Sequence, residues 1–249
     1  MDQSVTPSPA AEIRASFRRL IADPAHGPLA ALMLVLTVLT GVVDAVSILG
    51  LGRVFVANMT GNVVFIGFAV AGASGFSLSA SLSALVGFLV GALVAGLLVA
   101  RFGSHRGRIT TFIAGGELVL ILLALLGVAV AGGDLSTGDK VAIAALLALA
   151  MGAQSAAVRQ LKVFDFTTTV LTMTLTGLVS DLRQRDLFAI VRRLLAVVAM
   201  LAGAIAGAWL VLKVSNVAAL ALAAALLSIV LVAALVGSRS PAPWHAPRS

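Results

Sequence analysis

Cysteine and tyrosine are missing altogether from this chain of 249 residues, and only 11% of positions carry charge. Without cysteine there is no disulfide, no thiolate metal site and no cysteine nucleophile. Aromatics amount to 5%, and no basic stretch forms a groove-sized patch, so the net charge of +7 does not describe a nucleic-acid surface. No nucleic-acid partner is expected. The three histidines, His26, His105 and His245, stand outside the apolar runs, which leaves no buried imidazole for a metal or a proton relay. No cofactor and no metal are implied. What is abundant is apolar: 60% of residues are hydrophobic and the mean hydropathy is +1.12. That leaves too little polar surface to cover a water-soluble globule, and the lipid bilayer is the expected partner.

Residues 1–27 carry three of the seven prolines and three arginines ahead of the first apolar run. The run itself exceeds the core of a secretory signal, and many more follow it. The tail reads either as a disordered cytoplasmic segment or, over 10–22, as a short interfacial helix with Arg14, Arg18 and Arg19 against Ile13, Phe17, Leu20 and Ile21. Residues 238–249 read as a polar, proline-bearing cytoplasmic tail.

Between the tails lie eight apolar segments: 29–50, 55–73, 81–101, 110–132, 141–158, 166–182, 191–213 and 216–237. A crossing helix needs about 20 residues. The second and sixth segments are polar in their first halves and are the candidates for not crossing. Lys and Arg in short loops concentrate on the cytoplasmic side, which tests the alternatives. If all eight segments cross with the N-terminus inside, the seventeen basic residues divide ten inside to seven outside. If the second and sixth each enter and leave on one side, only Arg53, Lys140 and Lys213 remain outside. The expected fold is therefore all-α and membrane-integral, with six transmembrane helices and two re-entrant or broken segments. Both termini are expected on the cytoplasmic side of the membrane.

Three crossings per half make the second half inverted relative to the first. The expected repeats are 28–133 and 134–237. A faint internal likeness supports them: the stretch from Gly41 parallels that from Gly152, Phe55 matches Phe164, Thr60 matches Thr169, and Leu89-Val90-Gly91-Ala92 matches Leu201-Ala202-Gly203-Ala204. Gln154 stands at a place related to Asp44. Gly87, Gly91 and Gly96, with Gly203 and Gly207, put small residues on one helix face in each half for close packing, which allows a homodimer.

Non-helical backbone at membrane depth is tolerated only where protein buries it or water reaches it. A re-entrant segment is thus expected to line a cavity near the bilayer midplane. In the first, Asn58, Thr60, Gly61 and Asn62 gather where a half-helix begins, with Asn58 or Thr60 as N-cap. In the second, Thr167, Thr168 and Thr169 hold the related place. Paired half-helix N-termini suit an anion or a polar solute; the plainer alternative is that these groups serve as packing glue. Asp44 and Glu117 are the acidic residues well inside apolar segments, and each costs about 2.5–3.5 kcal/mol there if central and charged. Either would couple transport to protons from beside a cavity. The alternatives are a structural hydrogen bond from Asp44 to the re-entrant backbone, and a snorkelling ion pair of Glu117 with Arg106 or Arg108.

The stretch Gly41-Val42-Val43-Asp44 through Asn58-Met59-Thr60-Gly61-Asn62, followed by Met151-Gly152-Ala153-Gln154 through Thr172, resembles the YoaK-like family of bacterial inner-membrane proteins. The resemblance covers nearly the whole chain beyond the N-terminal tail. It implies a multi-pass membrane protein treated as a candidate transporter, and supplies no substrate. Three functions compete. The first is a small secondary transporter or channel for a small polar or anionic solute or ion, bound by Asp44, Asn58, Thr60, Gly61, Asn62, Gln154 and Thr167–Thr169. The second is a membrane scaffold. The third, an intramembrane enzyme, lacks a Ser/His pair, an aspartate dyad or a metal set; no enzymatic activity is expected.

Overall fold

The computed structural model describes residues 29–102, 106–132, 134–161, 176–177, 181 and 187–238. Within these the long elements are all helices: α1 (Leu29–Gly50), α2 (Met59–Val70), α3 (Leu78–Phe102), α4 (Arg106–Val130), α5 (Thr137–Leu161), α6 (Leu187–Lys213) and α7 (Asn216–Ser238). Six are long and apolar enough to cross a membrane. The exception is α2, whose 12 residues reach only about 18 Å at ~1.5 Å per residue, well short of the hydrocarbon thickness. The all-α, six-span expectation holds with one short apolar helix in the 55–73 segment. The 166–182 segment, Thr167, Thr168 and Thr169 included, lies outside the described residues save for 176, 177 and 181.

Several helices begin earlier than their apolar runs, because polar caps carry the backbone past the hydrocarbon edge. Before α5, the Ser136 hydroxyl accepts the Asp139 N–H (3.2 Å) while the Asp139 carboxylate accepts the Ser136 N–H (3.0 Å). This reciprocal capping box satisfies groups that the first turn leaves open. Ser77 and Ser215 cap α3 and α7 by accepting the N–H groups of Ala80 (3.2 Å) and Ala218 (3.1 Å).

The main packing partners are α3 with α5, α1 with α6, and α4 with α7, followed by α4 with α5 and α1 with α7. Exchanging α1 with α5, α3 with α6 and α4 with α7 maps this set of pairs onto itself. Glycines make the two leading pairs close. A Cβ at Gly91 would strike the Leu149 carbonyl, and one at Gly152 the Phe88 carbonyl. In the other pair, a Cβ at Gly203 would strike the Val38 carbonyl, and one at Gly41 the Met200 carbonyl. Each carbonyl struck stands three residues before the glycine of its own helix, so the two crossings share one register. Gly96 is a correction to the expected small-residue face: nothing lies within 4 Å of it. Five residues beyond Gly91, it is turned about 140° away, whereas a Cβ at Gly87, four residues before, would lie 2.7 Å from the Ala145 carbonyl oxygen.

Helix directions follow from these contacts. Gly87 and Gly91 meet Ala145 and Leu149 in rising order, so α3 runs parallel to α5; Gly203 and Gly207 meet Val38 and Val42, so α6 runs parallel to α1. The C-terminal ends of α1 and α6 and the N-terminal ends of α5 and α7 line one cavity, so α1 and α5 run oppositely. Burial reflects the arrangement. In their most apolar windows α1 is 72% buried and α5 56%, against 17% for both α3 and α6. The bundle thus has α1, α4, α5 and α7 inside and α3 and α6 outside. Val86, Leu89, Leu93 and Leu97 on α3, and Leu194, Val198, Leu201 and Ile205 on α6, form exposed apolar stripes at helical spacing. Such stripes are stable against acyl chains and costly in water.

The short α2 returns to the side it came from. Gly52 (φ 91°) and Arg53 (φ 56°) turn the chain back after α1 through left-handed backbone, which glycine adopts without strain. Beyond α2, Phe76 packs on Phe65 with ring centroids 4.9 Å apart, while Phe55, ahead of α2, stacks on the same Phe65 at 5.4 Å. A Cβ at Gly75 would meet the Arg53 guanidinium at 2.9 Å. Entry and exit are neighbours.

Candidate functional site

Two polar loci lie within the bundle. At the first, Asp44 is buried in α1 and its carboxylate accepts the Ala57 N–H (3.3 Å), with the Val56 N–H beside it. Asn62 is wholly buried; it accepts the Phe55 N–H (2.9 Å) and donates to the Phe55 carbonyl (2.6 Å). These two bonds satisfy backbone groups that an extended strand at membrane depth would otherwise leave bare. Asn58 is the N-cap of α2, its side-chain oxygen accepting the Gly61 N–H at 3.5 Å. Gly61 sits under the Phe55 ring, where a Cβ would lie 2.5 Å from an aromatic carbon. Thr60 is exposed. The structure therefore brings Asp44, Asn58, Gly61 and Asn62 together as the structural lock of a turn.

Three expectations about this locus change. Asp44 lies six residues from the end of α1, so the turn dips only about 9 Å below that end, short of the middle of this 22-residue helix. The described cavities take no residue from α2, which packs on α3 at the bundle's margin. Finally, the N–H groups ahead of α2 face Asp44 itself, an anion supplied by the chain where an external one was expected.

The second locus begins on α1. Thr37, Thr40, Asp44 and Ser47, at spacings of three and four, are all buried and line one face. Thr37 and Thr40 donate to the carbonyls of Met33 (2.8 Å) and Leu36 (2.9 Å), which satisfies their hydroxyl protons within the helix. Thr40 in turn accepts a hydrogen bond from the Gln154 side-chain amide of α5 at 3.1 Å. Gln154 shares a cavity of about 20 Å³ with Thr110 and Glu117 of α4, walled by Met33, Leu36, Ile113 and Val230 among others. Glu117 is 2% exposed, and its Oε1 has no hydrogen-bond partner. The Arg106 side chain lies outside the described residues, and the expected ion pair with Arg108 is not formed: Arg108 lies nine residues, about 13 Å along the axis, from Glu117 and is exposed at the helix end. A charged carboxylate in that setting costs several kcal/mol without a proton or a cation.

At the bundle end that holds Gly50, a third space of about 520 Å³ opens among Asp134, Ser136, Lys140 and Asn216. It shares α1, α5 and α7 with the small cavity. Lys140 and Asn216 stand fourteen residues, about 21 Å, along their helices from Gln154 and Val230.

The structure thus separates the expected site residues into a turn lock and an interior cluster. Gln154 belongs to the second. By the equivalence of Gly41 and Gly152 in the two crossings, Gln154 is the counterpart of Val43 and Ser155 that of Asp44, one position from the expected match. Thr37, Thr40, Ser47 and Thr110 were not anticipated; the three–four spacing of hydroxyls on the otherwise apolar α1 is the signal that marks the first three.

Residues 32–233 are matched by the model of a family described as a protein of unknown function, DUF1275. The chain is similar to the UPF0700 transmembrane protein YoaK of Bacillus subtilis (strain 168), with 31% identity over 159 residues, 63% of this chain and 68% of that protein. No solved structure matches it.

Proposed function

We propose that this chain, which belongs to the DUF1275 family and is a multi-pass membrane protein, is a small secondary transporter for a small polar solute. In this reading two inverted three-helix halves meet around the interior cluster, with both termini in the cytoplasm and the 520 Å³ space opening outward. The observation that carries it is the buried polar stripe of α1 running to Gln154 and Glu117 between helices of both halves. Polar groups inside a membrane bundle are expensive and tend to mark pathways. The symmetric exchange of helix pairs supplies the two related arrangements that alternating access needs. An anionic solute is the weaker variant, because Asp44 already occupies the N–H groups ahead of α2 and Glu117 is uncompensated.

A scaffold reading draws on the first locus, where Asp44, Asn58 and Asn62 all bond to their own chain's backbone. The two separate by thiol accessibility, which the cysteine-free chain makes simple. Single cysteines at Thr40, Ser47, Thr110 and Gln154, in proteoliposomes, should react with a charged water-soluble reagent from both sides of the membrane. Uniform protection at all four would establish the scaffold reading instead.

A further inference from the structure

We infer that Glu117 is a proton-binding site, reached through the water-sized cavity it shares with Thr110 and Gln154. This deepens the transport reading and rests on it for its purpose, although the site itself can be tested alone. Its basis is geometric. The carboxyl is buried on α4, its Oε1 lacks a partner, and it borders a cavity of about 20 Å³ whose other polar side chains are Thr110 and Gln154. That volume holds about one water, for which ~10–15 Å³ suffices.

The chemistry of the wall selects the occupant. A hard metal cation takes about six oxygen ligands, whereas this wall has three polar side chains among apolar ones. A proton needs one oxygen. Among the described residues no charge on the facing elements competes for it: α7 carries no charged residue, α1 has only Asp44, held by Ala57, α3 has Arg101 exposed in its last turn, and α5 has Asp139 and Lys140 in its distant first turn and Arg159, exposed, one residue beyond Val158 of the cavity wall. On α4 itself Arg108 is the nearest charge among residues whose side chains are described, and it is exposed. The hydrogen bond from Gln154 to Thr40, one turn from Asp44, joins the carboxyl's cavity to the polar stripe. On protonation, a proton passes from water to a Glu117 oxygen, which turns from acceptor to donor; on release the proton returns to water and the carboxylate regains its charge.

The test uses the full chain reconstituted in liposomes and treated with dicyclohexylcarbodiimide, an apolar reagent that forms adducts with protonated carboxyls in membranes. Peptide mass spectrometry should place the adduct on Glu117, with a labelling rate falling about tenfold per pH unit above the group's pKa. Glu117→Gln should abolish that adduct, while Asp44→Asn should leave it. Infrared difference spectra on the same samples should show a protonated-carboxyl band that titrates with pH and is lost in Glu117→Gln. An adduct on Asp44 alone, no adduct at Glu117 at any pH, or labelling of Glu117 that ignores pH would overturn the inference. Titration of Glu117 together with uniform thiol protection of the stripe would instead remove the transport reading and leave the site standing.

Discussion

Asn62 shows how one side chain sets a local fold. Its amide presents an acceptor and a donor to the N–H and carbonyl of Phe55, and so replaces the strand that a lone extended segment lacks. Asn62→Ala should lower the unfolding free energy by about 1–3 kcal/mol, the cost of leaving a buried partner unsatisfied. Denaturant titration in mixed micelles would measure it. Asn58→Ala removes a long, exposed cap bond and should cost no more than about 1 kcal/mol. At Asp44 the carboxylate serves as an acceptor for Ala57, so Asp44→Asn keeps an acceptor oxygen and should retain the fold, whereas Asp44→Leu should unfold at lower denaturant. Equal loss in both variants would show that the negative charge matters more than the bond. The Asn and Asp residues stood out in the sequence because they are rare in apolar segments. Their partners did not, because Phe55 and Ala57 take part through backbone atoms that every residue has.

At the scale of elements, close crossings decide the arrangement. Gly91 and Gly203 allow α3 to lie on α5 and α6 on α1 with almost no side chain between them. Lipid tails are as apolar as leucine, so the attraction here is close van der Waals packing rather than a hydrophobic effect between helices. Gly91→Leu and Gly203→Leu should each destabilise by about 1–3 kcal/mol through overpacking. The equivalence of the two crossings predicts similar values. Gly96→Leu, with nothing near it, should stay within about 0.5 kcal/mol of the parent. A large loss at position 96 would mean that a second copy covers that face. The helices themselves were legible as apolar runs, and their starts were missed by three or four residues where capping groups extend them. Gly96 was misplaced because a list of small residues ignores the 100° turn per residue.

For the whole molecule, orientation is the testable quantity. The bundle end at Gly50 also holds the N-termini of α5 and α7 and the cavity beside Lys140, and Arg53 and Lys213 follow directly on α1 and end α6. With the proposed cytoplasmic termini, cysteines at Ala73 and Asp134 should label from outside intact cells with an impermeant reagent. Cysteines at Arg108 and Arg159 should label only after permeabilisation. The reverse pattern would invert the protein in the membrane and turn the 520 Å³ space inward; labelling of Ala73 from the side opposite Asp134 would mean that α2 crosses.

The chain alone determined its solvent, the number of long spans and the odd character of 55–73, because transfer of side chains into hydrocarbon depends on composition and run length, which are local properties. Charge distribution supplies only an expected side for each loop, since basic residues bias insertion one loop at a time. Which polar groups meet was decided by the tertiary structure. Asp44 and Glu117 look alike as carboxyls in apolar runs, yet one receives a backbone N–H from a returning turn and the other is left beside a water-sized cavity. That difference depends on residues far apart in sequence, Thr40 with Gln154 and Glu117 with Val230, whose approach is set by helix packing rather than by any local pattern.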